Sequence, residues 1–204
     1  MQDNSSKRII EKILKANLMK RIVVLGSIVL LLGACGGGGE TTTEENPVDT
    51  TNVDFSDMNE MSLKSEGLNM QIMLPNVAST TGASIEPSIE HDEGDYLWHV
   101  KIGNQFHLIV EDFGKEKSKV AEEKKRLAGL GKIFVIEYLL DEPKLIMYKR
   151  ELHEGQGGKA TYHCYGETEI DGYTYVLRSQ EDGNYKPIID DMVKTIRSAK
   201  QSAK

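Results

Sequence analysis

The chain has 204 residues, with 25 Lys and Arg against 32 Asp and Glu, a formal net charge of −7 and 39% hydrophobic residues. That mix fits one globular domain of ordinary size with chain to spare. Two cysteines exclude a disulfide framework, and the acidic balance argues against general binding to nucleic acid, whose phosphates would repel it.

The first segment, Lys7-Arg8-Ile9-Ile10-Glu11-Lys12-Ile13-Leu14-Lys15, places apolar residues at the spacing of one face of a basic amphipathic helix. Met19-Lys20-Arg21 also reads as a natural start, and residues 1–18 then read as an extended basic leader or a start codon placed too early. From Ile22 to Leu32 the chain is largely apolar, and Gly33, Ala34 and Cys35 follow. A basic region, a short apolar run and small residues before a cut make up a secretory signal peptide. The apolar run is shorter than the roughly 20 residues needed to cross a bilayer, and Gly36-Gly37-Gly38-Gly39 would stop any helix there.

Leu32-Gly33-Ala34-Cys35 resembles the lipobox of bacterial lipoproteins. The resemblance implies that residues 1–34 are removed and that Cys35 becomes the lipidated first residue of the mature chain. An acyl anchor contributes about 0.8 kcal/mol per buried CH₂, and two or more chains hold firmly. Processing would remove six basic and two acidic residues, leaving a still more acidic chain, which an anionic bilayer surface does not attract. The lipid would therefore hold the protein at the membrane.

Residues 35–61 read as the lipidated cysteine and a disordered acidic tether. There is no Lys or Arg between Cys35 and Lys64, and glycine, threonine and acid cannot bury enough apolar surface to order a chain. Such a linker of about 26 residues reaches on the order of 25–30 Å. Residues 62–204 read as a single globular domain.

Within it, Leu68, Met70, Ile72 and Leu74 predict a half-buried strand ended by Pro75. Residues 76–94 read as a long loop. Leu97 to Asp112 reads as a hairpin. A two-residue turn would put its two apolar sets on opposite faces. A three-residue turn at Gly103-Asn104-Gln105 pairs Ile102 with Phe106, Val100 with Leu108 and Trp98 with Val110, so the longer turn is expected. Lys115 to Ala128 predicts a surface helix with Ser118 as its cap, Gly129 as its stop and a narrow stripe of Val120, Leu127 and Ala128. Lys132 to Leu140, apolar on both faces, predicts a central strand. Asp141-Glu142-Pro143 turns the chain into a strand from Lys144 to Glu151. After a glycine-rich loop, Lys159 to Ile170 and Tyr173 to Ser179 form a hairpin about Asp171-Gly172. A closing helix starts at Pro187, with Ile188, Ile189, Met192, Val193 and Ile196 facing the sheet.

These elements predict an α+β fold, an antiparallel sheet with a mid-chain helix and a C-terminal helix packed on it. From Leu68 to Ser198 their order resembles the PsbP-like sandwich. The resemblance is carried by the opening strand ending in Pro75, the helix ahead of long antiparallel strands, the Asp171-Gly172 hairpin with Tyr173 and Tyr175, and the closing helix with Met192, Val193 and Ile196. It implies a binding or assembly module and no shared catalytic site.

Candidate chemistry is sparse. His163 and Cys164 are adjacent, and neighbours on a strand point to opposite faces, so they make no nucleophile pair and Cys164 reads as a small buried or edge residue. In the expected register His99 and His107 are diagonal neighbours on the face opposite Trp98, with Glu111 on the same face, which makes these three the weak candidates for a metal site. Lys101, across from His107, works against a cation there. His91-Asp92-Glu93-Gly94-Asp95 lacks the ligand order of a calcium loop. Gly155-Gln156-Gly157-Gly158 leads into a strand, whereas a phosphate cradle needs a helix N-terminus. No catalytic motif and no cofactor motif is present, and no catalytic residue is assigned. The reading is a non-enzymatic, membrane-anchored interaction or assembly module of the bacterial cell envelope. Its membrane contact would be the lipid, its partner an envelope protein, and its contact surface would draw on Tyr162, Tyr165, Tyr173 or Tyr175. The alternative is an envelope lipoprotein that binds a small ligand or a metal.

Overall fold

A computed structural model describes residues 53–76, 85–92 and 94–203. The signal segment, Cys35, most of the tether and Glu93 lie outside the described residues. The elements are β1 (Met58–Ser62), β2 (Met70–Pro75), β3 (Ser88–Glu90), β4 (Leu97–Ile102), β5 (Phe106–Asp112), α1 (Lys119–Gly129), β6 (Phe134–Asp141), β7 (Leu145–Leu152), β8 (Thr161–Ile170), β9 (Tyr173–Ser179), α2 (Lys186–Ser198) and β10 (Lys200–Gln201). The fold is α+β, an antiparallel architecture with two helices.

Strands β3-β4-β5-β9-β8-β7-β6 form a seven-stranded sheet, and β1-β2-β10 form a three-stranded one. The hairpin β4–β5 has the register that hydrophobic alternation demands, with Ile102 opposite Phe106, Val100 opposite Leu108 and Trp98 opposite Val110. One face of this hairpin is therefore wholly apolar. It joins Met70, Ile72 and Leu74 of β2 and Ile189, Met192 and Ile196 of α2 in the main core. The small sheet and α2 thus cover the front of the large sheet. On its back, Val120 and Leu127 of α1 meet Ile146 and Tyr148 of β7 in a smaller core. Fully burying an aliphatic or aromatic side chain stabilises by about 1.5–3 kcal/mol, so the front core, with most of these residues, dominates.

Four expectations need correction. The folded part begins before residue 62: Met58 is buried, and β1 pairs with β2 from Met58–Pro75 to Ser62–Gln71. The segment 76–94 contains β3, whose Ile89 lies opposite Val100. β6 is an edge strand, not a central one. The strand buried on both faces is β7, where Leu145 and Met147 enter the front core while Ile146 and Tyr148 enter the back one. Finally, Ser118 immediately precedes α1, yet its backbone is left-handed (φ 63°) and its hydroxyl makes no capping bond. The cap comes from the sheet instead: the Val120 amide donates to Glu167 Oε2 at 2.9 Å. A carboxylate there satisfies an orphan amide and faces the positive end of the helix.

Among the described residues no helix is long and apolar enough to cross a membrane.

Candidate functional site

Strand alternation decides which side chains reach the back of the large sheet. From β4 these are Leu97, His99 and Lys101. From β5 they are His107, Ile109 and Glu111. α1 shields the β7–β8 end of this face. The β3–β4–β5 end carries polar groups that α1 does not cover, and most of the sequence-derived candidates gather on this back face.

His99 and His107 come together more closely than diagonal strand neighbours need to. His99 Nδ1 lies 2.9 Å from His107 Nε2, with the rings edge-on at 66° and their centroids 5.1 Å apart. A bond between two imidazole nitrogens needs one N–H and one lone pair, so the pair carries at most one extra proton. Burial first, then the neighbouring His99 and Lys101, hold His107 below the ordinary histidine range. Lys101 sits directly across from His107 in the register, as expected, but its ammonium is bound to Glu90 at 2.5 Å.

Glu111 does not join them. It lies opposite Leu97 and pairs with Arg178 across β5 and β9 at 3.4 Å. The three-residue metal site therefore does not form, and among the described residues no group of three or more histidine, cysteine or acidic side chains is placed to hold a metal.

His163 and Cys164 diverge as alternation requires. Cys164 lies in the front core, where burial pushes its thiol up to about 12. His163 lies flat on Tyr148, with ring centroids 4.9 Å apart and 9° between planes. Thr161 Oγ1 lies 2.9 Å from its Nε2, and burial above all holds its pKa down at about 4. It is a neutral aromatic shelf rather than a base.

Beside that shelf is a cavity of about 190 Å³ between α1 and the sheet, lined among others by Glu123, Arg126, Tyr148, His163, Tyr165 and Arg178. It is smaller than the roughly 300 Å³ at which ligand pockets begin. Its arginines are already engaged. Arg126 donates twice to Glu123 at 2.6 and 2.7 Å, and Arg178 reaches Glu111 and, at 3.9 Å, Glu181. Among the described residues lining it, no free charge is left to select an anion.

The loop histidine His91 stacks on Trp98 (centroids 4.5 Å, 10°), and its Nδ1 lies 2.9 Å from the Leu97 carbonyl. Its ring thus belongs to packing rather than to a cation loop. The glycines at 155, 157 and 158 all have positive φ in the loop that leads into β8, so no helix N-terminus follows them.

The four tyrosines do not form one patch. Tyr162 and Tyr175 pack on the front core and Tyr165 on the back one, while Tyr173 is exposed. The exposed apolar surface that sequence reasoning missed is β6 with the residue before it. Ile133, Val135, Tyr138 and Leu139 are 52%, 41%, 37% and 40% exposed. The signal was present as apolar residues on both faces, a pattern that a central strand and an uncovered edge share. No family model matches the chain, and no curated protein is significantly similar to it.

Proposed function

We propose that the protein is a lipid-anchored interaction module of the bacterial cell envelope, held through Cys35 and acting by binding a protein partner rather than by catalysis. The lipobox-like Leu32-Gly33-Ala34-Cys35 supports the anchor. The element order supports a PsbP-like sandwich, a resemblance that implies binding or assembly. The observation that carries the binding role is the open edge of the large sheet. β6 is eight residues long, leaves one row of backbone donors and acceptors without a neighbouring strand among the described residues, and exposes Val135, Tyr138 and Leu139. Monomeric proteins normally blunt such an edge with charge, proline or a covering element. Here the blunting is a register shift between Tyr138 and Leu140 and two carboxylates, Glu137 and Asp141, each held by a lysine, and the apolar residues between them stay exposed.

The test is crosslinked affinity capture from intact membranes with three forms: the unaltered chain, Cys35→Ala, and the edge variant Val135→Lys/Leu139→Lys. One partner enriched by the unaltered chain and lost with both variants is the expected result. Capture of nothing by any form, or equal capture by all three, would overturn the reading. The edge variant should fold normally, because both side chains are already exposed.

A further inference from the structure

We propose that His99 and His107 form a two-imidazole chelate for a divalent copper-like cation, completed by water. This site is independent of the β6 edge.

The geometry carries the idea. Imidazole nitrogens bind such ions at about 2.0–2.1 Å. Two nitrogens held cis at a right angle on one ion are therefore about 2.9 Å apart, and two at a tetrahedral angle about 3.3–3.4 Å apart. The separation here is 2.9 Å, the length of the hydrogen bond between the rings, and it leaves both nitrogens within a few tenths of an ångström of either spacing. Cu²⁺ binds nitrogen sites most tightly among the first-row ions. Within the hydrogen bond between the two rings, one donates to the other. A tautomeric shift of that proton to the donor ring's other nitrogen, and a small rotation of both rings, would turn two lone pairs toward one point above the sheet.

The frame holding the two rings is stiff. They project from adjacent antiparallel strands, with His99 opposite Ile109 and Lys101 opposite His107. β3 flanks β4 on its other side and sets Glu90 opposite His99. The charged groups facing the pair are Lys101 and Glu90, which neutralise one another at 2.5 Å. Glu111 and Arg178, farther along the same face, do likewise. The cation at Lys101 is thus offset, and without that lysine the Glu90 carboxylate would add a negative charge beside the pair.

The experiment uses the full chain carrying Cys35→Ala, so that this thiol does not compete, and Cu²⁺ alone as the probe. Its readouts are electron paramagnetic resonance and calorimetric titration. The unaltered pair should give one site with the hyperfine signature of two nitrogens. His99→Gln and His107→Gln should each lose one nitrogen and weaken binding. Loss of an outer-shell partner alone costs a metal site about 10–100-fold, and loss of a ligand should cost at least that. Lys101→Met, which removes the cation and frees the Glu90 carboxylate, should tighten binding, and adding Glu90→Gln should reverse the gain. The proposal fails if the double variant His99→Gln/His107→Gln binds Cu²⁺ with unchanged affinity and spectrum, or if the unaltered pair binds no tighter than that variant. Fluorescence of Trp98, on the opposite face, reports that each variant has folded.

Discussion

His163 and Cys164 are consecutive in β8 and serve opposite cores: the imidazole stacks on Tyr148 at 4.9 Å behind the large sheet, and the thiol is enclosed in front of it. One peptide bond therefore separates two environments with no shared chemistry, and each residue yields its own prediction.

Cys164 should be inert in the native protein. Its thiol is buried, with a pKa raised to about 12, and the thiolate is the reactive form. In a Cys35→Ala background it is the sole thiol. A disulfide reagent should leave it untouched in buffer and label one equivalent after unfolding in guanidinium. Rapid labelling of the folded protein would contradict its enclosure.

His163 should make the fold acid-sensitive. Its folded pKa, about 4, lies below the ordinary histidine value of 6.5. The unfolded chain therefore takes up a proton that the folded one refuses. The stabilisation is complete above the unfolded value and is lost as pH falls from there toward the folded one. The full shift corresponds to about 3 kcal/mol at most. Urea midpoints at pH 7 and pH 4.5 should differ strongly for the native sequence and much less for His163→Phe, which keeps the stacked ring without the proton. Equal pH slopes in both proteins would refute the assignment.

Gly183 is packed where no side chain fits. Its φ is +69°, and an added Cβ would lie 2.6 Å from the His163 ring and 2.7 Å from the Tyr162 carbonyl oxygen. That carbonyl accepts the Asn184 amide in a paired bridge beside β8. Gly183→Ala should cost about 1–3 kcal/mol from overpacking and about 1–2 more from the left-handed backbone. At this chain length that lowers Tm by several degrees, on the order of 2–4 °C per kcal/mol. Gly155→Ala is the control. It has a similar φ of +85° but open space around it, so it bears the backbone cost alone. Equal losses in the two variants would contradict the packing argument.

Trp98 is the only tryptophan and lies flat against His91 at 4.5 Å, while its Nε1 donates to the Glu66 carbonyl at 2.8 Å. The stacked ring is part of the packing around the indole. His91→Asn should therefore change the native fluorescence of Trp98 at neutral pH. An unchanged native spectrum in the variant would separate the two residues.

Local physics made some elements legible and non-local pairing hid others. Only one turn length at Gly103-Asn104-Gln105 keeps Trp98, Val100 and Ile102 on the same face as Phe106, Leu108 and Val110, so the register could be read from two short segments. Asp171 and Gly172, with φ of 54° and 80°, occupy the turn that Asp-Gly favours. The stripe of α2 packs as its spacing foretold. The rank of β6 in the sheet could not be read this way, because strand order depends on β7 and β8 and not on β6 itself. β3, at three residues, is too short for a period to show. Met58 is masked by the acidic run around it. The cap of α1 comes from Glu167, far along the chain. At the candidate site, alternation placed His99, His107 and Glu111 on one face, but the claim of Arg178 on Glu111 depends on β9 pairing with β5, which the hairpin alone does not reveal.

The two borders of the large sheet are unequal, three residues in β3 against eight in β6. Open-ended polymers built by strand addition need two usable borders per subunit, one to receive and one to give. This sheet has a single long one. A second copy docked there, border to border, would use up both long edges and leave only the two short ones at the ends. Strand-to-strand growth through β6 would therefore halt at a pair, and a β6 site already covered by a foreign strand would not propagate at all.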